Sequence, residues 1–255
     1  MRDKPNTSDF RRRLLARDLL IGTWIKTPSP VVCEVLARSG LDVLALDAEH
    51  APFGRAELDA CLAICGALDA PALVRVPSAD PAQILNALDC GASGVLVPHV
   101  STPQQAEAAV RACHYGAGGR GFAGSTRAAG FAGTPIADHL RRSRDQTAVI
   151  LQIEDVEALD CLDRIAAVPG VDGLFVGRVD LTVSLGKTRT DDPAVLQAVE
   201  GICAAGKKAG VPVGMFVADP AEAKRWVPQG ASLFILGSDH TFLLSGARAL
   251  IESVR

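Results

Sequence analysis

Two side chains at the end of an apolar run set the first chemical question. In AVILQIED, Ala148–Asp155, the alternation of a β-strand sends Gln152 and Glu154 to one face. In a barrel or buried parallel sheet that face is interior or at the mouth. A carboxylate buried there without a partner costs several kcal/mol, so a cationic side chain or a metal should lie within reach. Asp180, in GLFVGRVDLTVSLG (Gly173–Gly186), supplies a second carboxylate one strand–helix unit later. Neighbouring carboxylates repel unless a cation sits between them. Hard oxygen ligands with open positions suit Mg²⁺ or Mn²⁺. The competing arrangement pairs each carboxylate with Arg75, Arg178 or Lys187.

Other reactive types fall in similar places. His50, in LALDAEHAPF, fits a base, a ligand or an ordinary loop residue, and Asp47 three residues earlier could hold its ring and favour the imidazolium. Arg75 ends an otherwise apolar strand (LVRVP), so its guanidinium must find an anion: a structural carboxylate, a substrate carboxylate or an enolate oxygen. Trp24, Glu49 and His99 also fall at strand ends. No lysine is read at a strand end suited to a Schiff base, which counts against a covalent imine mechanism. Cys61 and Cys65 stand at i, i+4 on one helix; with no nearby His or Cys to complete a site they read as core residues.

The elements that must position these groups follow from periodicity. Eight short strand-like runs are read at Leu20–Ile25, Val43–Asp47, Leu73–Val76, Gly94–Val97, Val149–Ile153, Gly173–Val176, Val213–Phe216 and Leu233–Leu236. Helical patterns separate them: Pro30–Ser39, Ala56–Leu68, Pro81–Leu88, Thr102–Cys113, Val156–Val168, Pro193–Ala209 and Pro220–Val227. Eight such units in 255 residues predict a single α/β domain, a (β/α)₈ TIM barrel spanning 1–255, with an open doubly wound sheet as the alternative. No G-x-G-x-x-G follows the first strand and no P-loop pattern occurs. In a barrel the site lies at the C-terminal strand ends, where these polar residues recur. Gly116–Thr147, rich in Gly and Arg, is read as a lid or an oligomer contact, against a low-complexity loop.

Composition narrows the function classes. A net charge of −3 leaves no footprint for nucleic acid or an anionic membrane. Seven scattered cysteines argue for reduced thiols and a cytoplasmic setting. No run of roughly 18 apolar residues suggests a membrane span. The first residues, with Asp3 and Asp9, do not read as a targeting segment; Ser8 is read as the cap of a short helix that carries Arg11–Arg13 on a solvated face.

Together, Trp24 in GTWIK, the D-x-E-H-A-P of Asp47–Pro52, Arg75 in VRVP, Val97–Val100 (VPHV), QIE at Gln152–Glu154 and G-x-x-DLT-x-SLG at Gly177–Gly186 resemble the HpcH/HpaI aldolase family, over about Leu20 to Ser245. The resemblance implies divalent-metal-dependent (Mg²⁺, Mn²⁺ or Co²⁺) aldol cleavage of 2-keto-4-hydroxy acids to pyruvate and an aldehyde, through a cation-stabilised enolate. It implies Glu154 and Asp180 as metal ligands, Arg75 on the keto or enolate oxygen, and His50 with Asp47 as acid–base dyad. Trp24 would be a pocket wall and Gln152 a neighbour of the metal. The Gly177 segment would bind pyruvate, with backbone N–H groups of Val179 and Asp180 on its carboxylate. It implies a homo-oligomer, commonly a hexamer with an exchanged last helix, in which Asp89 reaches the neighbouring site. Arg178, where the family usually has a small residue or Pro, would narrow the pocket or bind a second substrate carboxylate; His99 and the Ser125–Phe131 segment are the other candidates for reading the aldehyde. The rivals are an oxaloacetate decarboxylase, a citrate-lyase-β or malyl-CoA-lyase type enzyme, and a non-catalytic ketoacid-binding barrel.

Overall fold

Each apolar run forms a parallel strand hydrogen-bonded to the next, and the last closes on the first. A computed structural model describes residues 7–255 and shows a closed barrel in the order β1 to β8. The strands are β1 Leu20–Ile25, β2 Val43–Asp47, β3 Ala72–Arg75, β4 Gly94–Val97, β5 Ala148–Ile153, β6 Gly173–Val176, β7 Val213–Val217 and β8 Ala231–Ser238.

The strand alternation divides the buried apolar residues into two layers. Leu20, Val43, Ala45, Leu73, Leu96, Ile150, Phe175 and Ile235 fill the barrel interior, while Leu44, Leu46, Val74, Val95, Val97, Leu151 and Val176 pack outward under the helices. Interior register therefore continues upward from Val43 and Ala45 to Asp47, from Leu73 to Arg75, and from Ile150 to Gln152 and Glu154. The interior stack ends in polar groups only at the C-terminal mouth.

Asp80, Thr102 and Asp192 cap the helices that follow them, α4 Pro81–Asp89, α5 Pro103–Cys113 and α9 Pro193–Ala209, by accepting backbone N–H groups in the first turn; each helix opens with Pro, whose missing N–H costs nothing there. Val156–Cys161 is 3₁₀ rather than α-helical, and only Leu162–Ala166 (α7) continues as α-helix. Between β6 and α9 lies α8, Arg178–Ser184. Within Gly116–Thr147 the strongly polar α6, Ile136–Gln146, forms and packs on the short N-terminal helix α1, Phe10–Leu15.

Three expectations change. Asp9, not Ser8, precedes α1. Two of the three α1 arginines are pinned rather than solvated, Arg11 to Asp172 at 2.7 Å and Arg13 to Asp42 at 2.9 Å, while Arg12 stays exposed beside Asp9. On the other face Phe10 and Leu14 plug the barrel floor, each burial stabilising by about 1.5–3 kcal/mol. Cys61 and Cys65 on α3, Arg55–Ala67, are joined by Cys33 on α2, Pro30–Ala37, a buried trio of free thiols. Asp3 lies outside the described residues. No helix among the described residues is long and apolar enough to cross a membrane.

Candidate active site

The parallel register places Asp47 beside Arg75 on adjacent strands. Asp47 is fully buried, and its Oδ1 accepts from Arg75 Nε at 2.9 Å and from the His50 backbone N–H at 3.2 Å. Its Oδ2 lies 2.8 Å from Arg75 Nη2 and 3.2 Å from Lys26 Nζ, yet meets neither at a hydrogen-bonding angle. Burial alone would raise this carboxyl; the Arg75 contacts outweigh it and hold Asp47 below the usual carboxylate range. Arg75 also reaches Glu49 Oε2 at 3.3 Å and lies over the Trp24 ring at 4.5 Å. Trp24 in turn meets Phe175 edge-on.

This geometry corrects the acid–base dyad. Asp47 holds the backbone of His50 and not its ring, because both carboxylate oxygens are already committed to Arg75 and Lys26. The half-exposed imidazole of His50 has Glu49 as its nearest carboxylate, at 3.7 Å. A second correction concerns Lys26: it follows β1 directly, in interior register, and lines the cavity. Its amine is engaged by Asp47.

Glu154 is 1% exposed. Its Oε1 accepts the His99 backbone N–H at 2.9 Å, and its Oε2 accepts the Gln152 amide. No Lys or Arg pairs with Glu154 or Asp180 among the described residues; Arg75 is bound to Asp47 and Glu49, Arg178 to Glu222, and Lys187 to Asp192. The all-salt-bridge alternative therefore fails for both carboxylates. Arg178 donates from both terminal nitrogens to Glu222 of α10, Pro220–Trp226, and in this structure offers its guanidinium to Glu222 rather than to a ligand.

A cavity of about 610 Å³ at the strand tops is walled by Trp24, Lys26, His50, Arg75, Gln152, Gly177, Arg178, Val179 and Asp180. Val179 and Asp180 belong to the first turn of α8, whose amides have no partner within the helix. Asp89 and Ser125 are not brought here. They share a separate depression with Arg55 and Arg127. The Asp89 side chain is buried, 3.9 Å from Arg120, and burial pushes its carboxyl up. No residue of Gly116–Thr147 lines the cavity, so that segment is no lid over it within this chain.

Sequence reasoning gave no role to Glu49, whose side chain is 8% exposed and approaches His99 Nε2 at 3.6 Å. Interior register was the available signal, since Glu49 follows Asp47 by two. Burial raises the Glu49 carboxyl more than Arg75 lowers it, and nearby Glu154 adds to the rise. Burial lowers the His99 imidazole, but Glu154, Asp155 and Glu49 outweigh it and leave it raised.

The donor set suits a divalent cation. Glu154 is buried with no Lys or Arg paired to it among the described residues, its basic neighbour being the His99 imidazole at 3.4 Å, and Glu49 Oε2 and Gln152 Oε1 are buried with no hydrogen-bond donor. A Cβ on Gly177 would come within 2.5 Å of Glu154 Oε2, so the missing side chain keeps space over that carboxylate.

Comparison with known proteins identifies the family. The profile described as HpcH/HpaI aldolase/citrate lyase matches residues 20–245. The chain is 35% identical to a hydroxypyruvate/pyruvate aldolase of Paraburkholderia phytofirmans, over 98% of each chain. It is 37% identical to a 5-keto-4-deoxy-D-glucarate aldolase of Escherichia fergusonii, over 96% of each. The crystal structure of a family protein from Burkholderia cenocepacia superposes with a TM-score of 0.92 at 37% identity, covering 97% of this chain and 99% of that one. The chain belongs to the HpcH/HpaI aldolase/citrate lyase family and is, with that membership, a carbon–carbon lyase.

Proposed function

We propose that the protein cleaves and forms 2-keto-4-hydroxy acids by a retro-aldol and aldol reaction, with pyruvate as one product and an aldehyde as the other. One observation carries this reading. A buried guanidinium, an accessible imidazole and the Asp180 carboxylate line a single cavity whose Gly177 wall lies against the buried Glu154, and among the described residues no Lys or Arg pairs with either carboxylate.

Glu154 and Asp180 are the residues that would hold Mg²⁺, Mn²⁺ or Co²⁺. Such an ion, when bound, supplies positive charge where the enolate of pyruvate develops its negative charge. Arg75, fixed by Asp47, Glu49 and Trp24, adds positive charge that need not reorganise during reaction, commonly a term of several kcal/mol. The free amides of Val179 and Asp180 receive the pyruvate carboxylate. In cleavage His50 takes the C4 hydroxyl proton as the C3–C4 bond breaks, and that proton, delivered to C3 of the enolate, gives pyruvate; in condensation the proton leaves the pyruvate methyl group and ends on the aldehyde oxygen as the C–C bond forms. Trp24 and Phe175 exclude water from one side. Arg178, drawn aside by Glu222, leaves room for the aldehyde and is the side chain that can turn to an anionic one.

The protein assembles with copies of itself, hexamers being favoured, through exchange of α11, Asp239–Val254. Asp89 and Ser125, gathered in a depression apart from the cavity, are the residues offered to a neighbouring copy.

The test is cleavage of 2-keto-4-hydroxy acids by the purified protein before and after chelation. Pyruvate release that disappears with chelator and returns with Mg²⁺, Mn²⁺ or Co²⁺ is expected. Borohydride added with pyruvate should leave no adduct on Lys26. Turnover that persists without metal, or a trapped lysine adduct, would overturn the reading. Fast oxaloacetate decarboxylation with no aldol cleavage would move it to the decarboxylase.

A further inference from the structure

His99 stands out by its backbone. It follows Pro98 at the top of β4 and holds φ of 56°, a left-handed conformation that costs a side-chain-bearing residue roughly 1–2 kcal/mol. Two contacts result. Its N–H is aimed at Glu154 Oε1, and its imidazole swings across the barrel mouth toward Glu49.

The ring's two nitrogens have different surroundings. Nδ1 lies 3.2 and 3.3 Å from the carboxylate oxygens of Asp155, and 3.4 Å from Glu154 Oε1. Nε2 faces Glu49 Oε1 at 3.6 Å. Among the described residues, Glu49, His99 and Glu154 form the one group whose three ligand atoms lie within 4.8 Å of one another. The Glu49 side chain is 8% exposed; its Oε2 lies 3.3 Å from Arg75 Nε without hydrogen-bonding geometry, and its Oε1 is the oxygen turned to His99. It is a nearly enclosed acceptor at the edge of a carboxylate pair.

We propose that His99 joins Glu154 as a ligand of the divalent ion, through Nε2, with Glu49 supplying a further oxygen. This rests on the metal reading above and deepens it. Metal-bound histidines usually donate the other ring N–H to a carboxylate, which fixes the tautomer and orients the ring; Asp155 is in place to accept it from Nδ1. The 3.6 Å between Nε2 and Glu49 Oε1 is the span of two ligands each about 2.1 Å from a common ion. An imidazole in the ligand set changes selectivity. Oxygen-only sites suit Mg²⁺, whereas imidazole suits later transition ions, in the order Mn²⁺ below Co²⁺. The protein should therefore prefer Co²⁺ and Mn²⁺ to Mg²⁺ more strongly than a site of carboxylates and water.

The test reads coordination directly. The protein is loaded with Mn²⁺ and its electron spin-echo envelope modulation recorded, alongside chromophore-competition affinities for Mg²⁺, Mn²⁺ and Co²⁺. Wild type, His99→Asn and His50→Asn are compared. A directly coordinated ¹⁴N is expected in wild type and in H50N, and absent in H99N. H99N should lose Co²⁺ affinity on the order of tenfold or more, with Mg²⁺ affinity changed much less. Mn²⁺ bound without a coordinated nitrogen in wild type, or a nitrogen signal surviving in H99N, would overturn the role of His99 and leave the function intact. A protein that binds no divalent ion at all would overturn both. The wild-type spectrum keeps the test decisive even if a variant fails to fold.

Discussion

Gly177 shows how much of the site hangs on one absent side chain. Its φ of −84° is open to any residue, so backbone freedom does not explain a glycine here; closeness of approach does. A Cβ would meet Glu154 Oε2 at 2.5 Å and Glu154 Cβ at 2.7 Å, closer than real atoms sit, so either Glu154 or the start of α8 must move. Gly177→Ala should therefore weaken divalent-ion binding by on the order of tenfold or more, and the crowding should lower stability by more than about 1 kcal/mol. Metal titration beside a melting curve checks both, and unchanged affinity would show that Glu154 does not need this space. The residue types at the mouth were legible: Arg75, Gln152, Glu154 and Asp180 each interrupt an apolar pattern at a strand end. Their pairings were not. Asp47 and His50 are three apart in sequence, which suggested a ring contact, but interior register turns Asp47 toward Arg75 on the next strand. Lys26 was missed because it lies one residue beyond an apolar run, in the same register as Trp24.

The strands were legible as elements because each is buried on both faces and reads as a continuous apolar run. The polar α6 was not, since its contacts lie mainly with α1 and offer no broad apolar face. Nor was α8, whose seven residues sit where a loop is expected. The joint between β8, α11 and β1 also escaped the sequence reading. There Asp239, 2% exposed, accepts backbone N–H groups from Lys26 at 2.9 Å and Thr27 at 2.8 Å, fastening the end of β1 to the start of α11. Burial would raise its carboxyl; these bonds outweigh burial and hold it below the ordinary 3.8. A carboxyl lowered in the folded state contributes stability above its unfolded value, and that contribution fades as pH falls through the lower folded value. Asp239→Asn should thus cost about 1–3 kcal/mol near neutrality, with the gap to wild type narrowing below about pH 4. Denaturant melts across pH check it, and a gap that does not narrow in acid would remove charge from the explanation.

At the scale of the molecule, the two ends of the chain behave differently. α1 closes the barrel floor and is part of the core. In α11, by contrast, every residue after Asp239 is exposed, including Leu243 at 66% and Leu250 at 71%. Phe242, Leu244, Ile251 and Val254 add to that apolar face, and Val31 and Val35 of α2 are also exposed. Periodicity alone could not distinguish these leucines from core leucines, because helical spacing reports an apolar face without saying what covers it. A free barrel would gain little from a helix that leaves its apolar side in water, and contiguous exposed apolar surface of this kind marks association. Full-length protein should therefore run by light scattering at several times the 26.6 kDa chain mass. Deleting residues 240–255, which keeps Asp239 and all eight strands, should reduce that mass to smaller species while circular dichroism retains the folded barrel. If the full chain were monomeric at micromolar concentration, or the truncated chain kept the full assembly, α11 would not be the element that joins the copies.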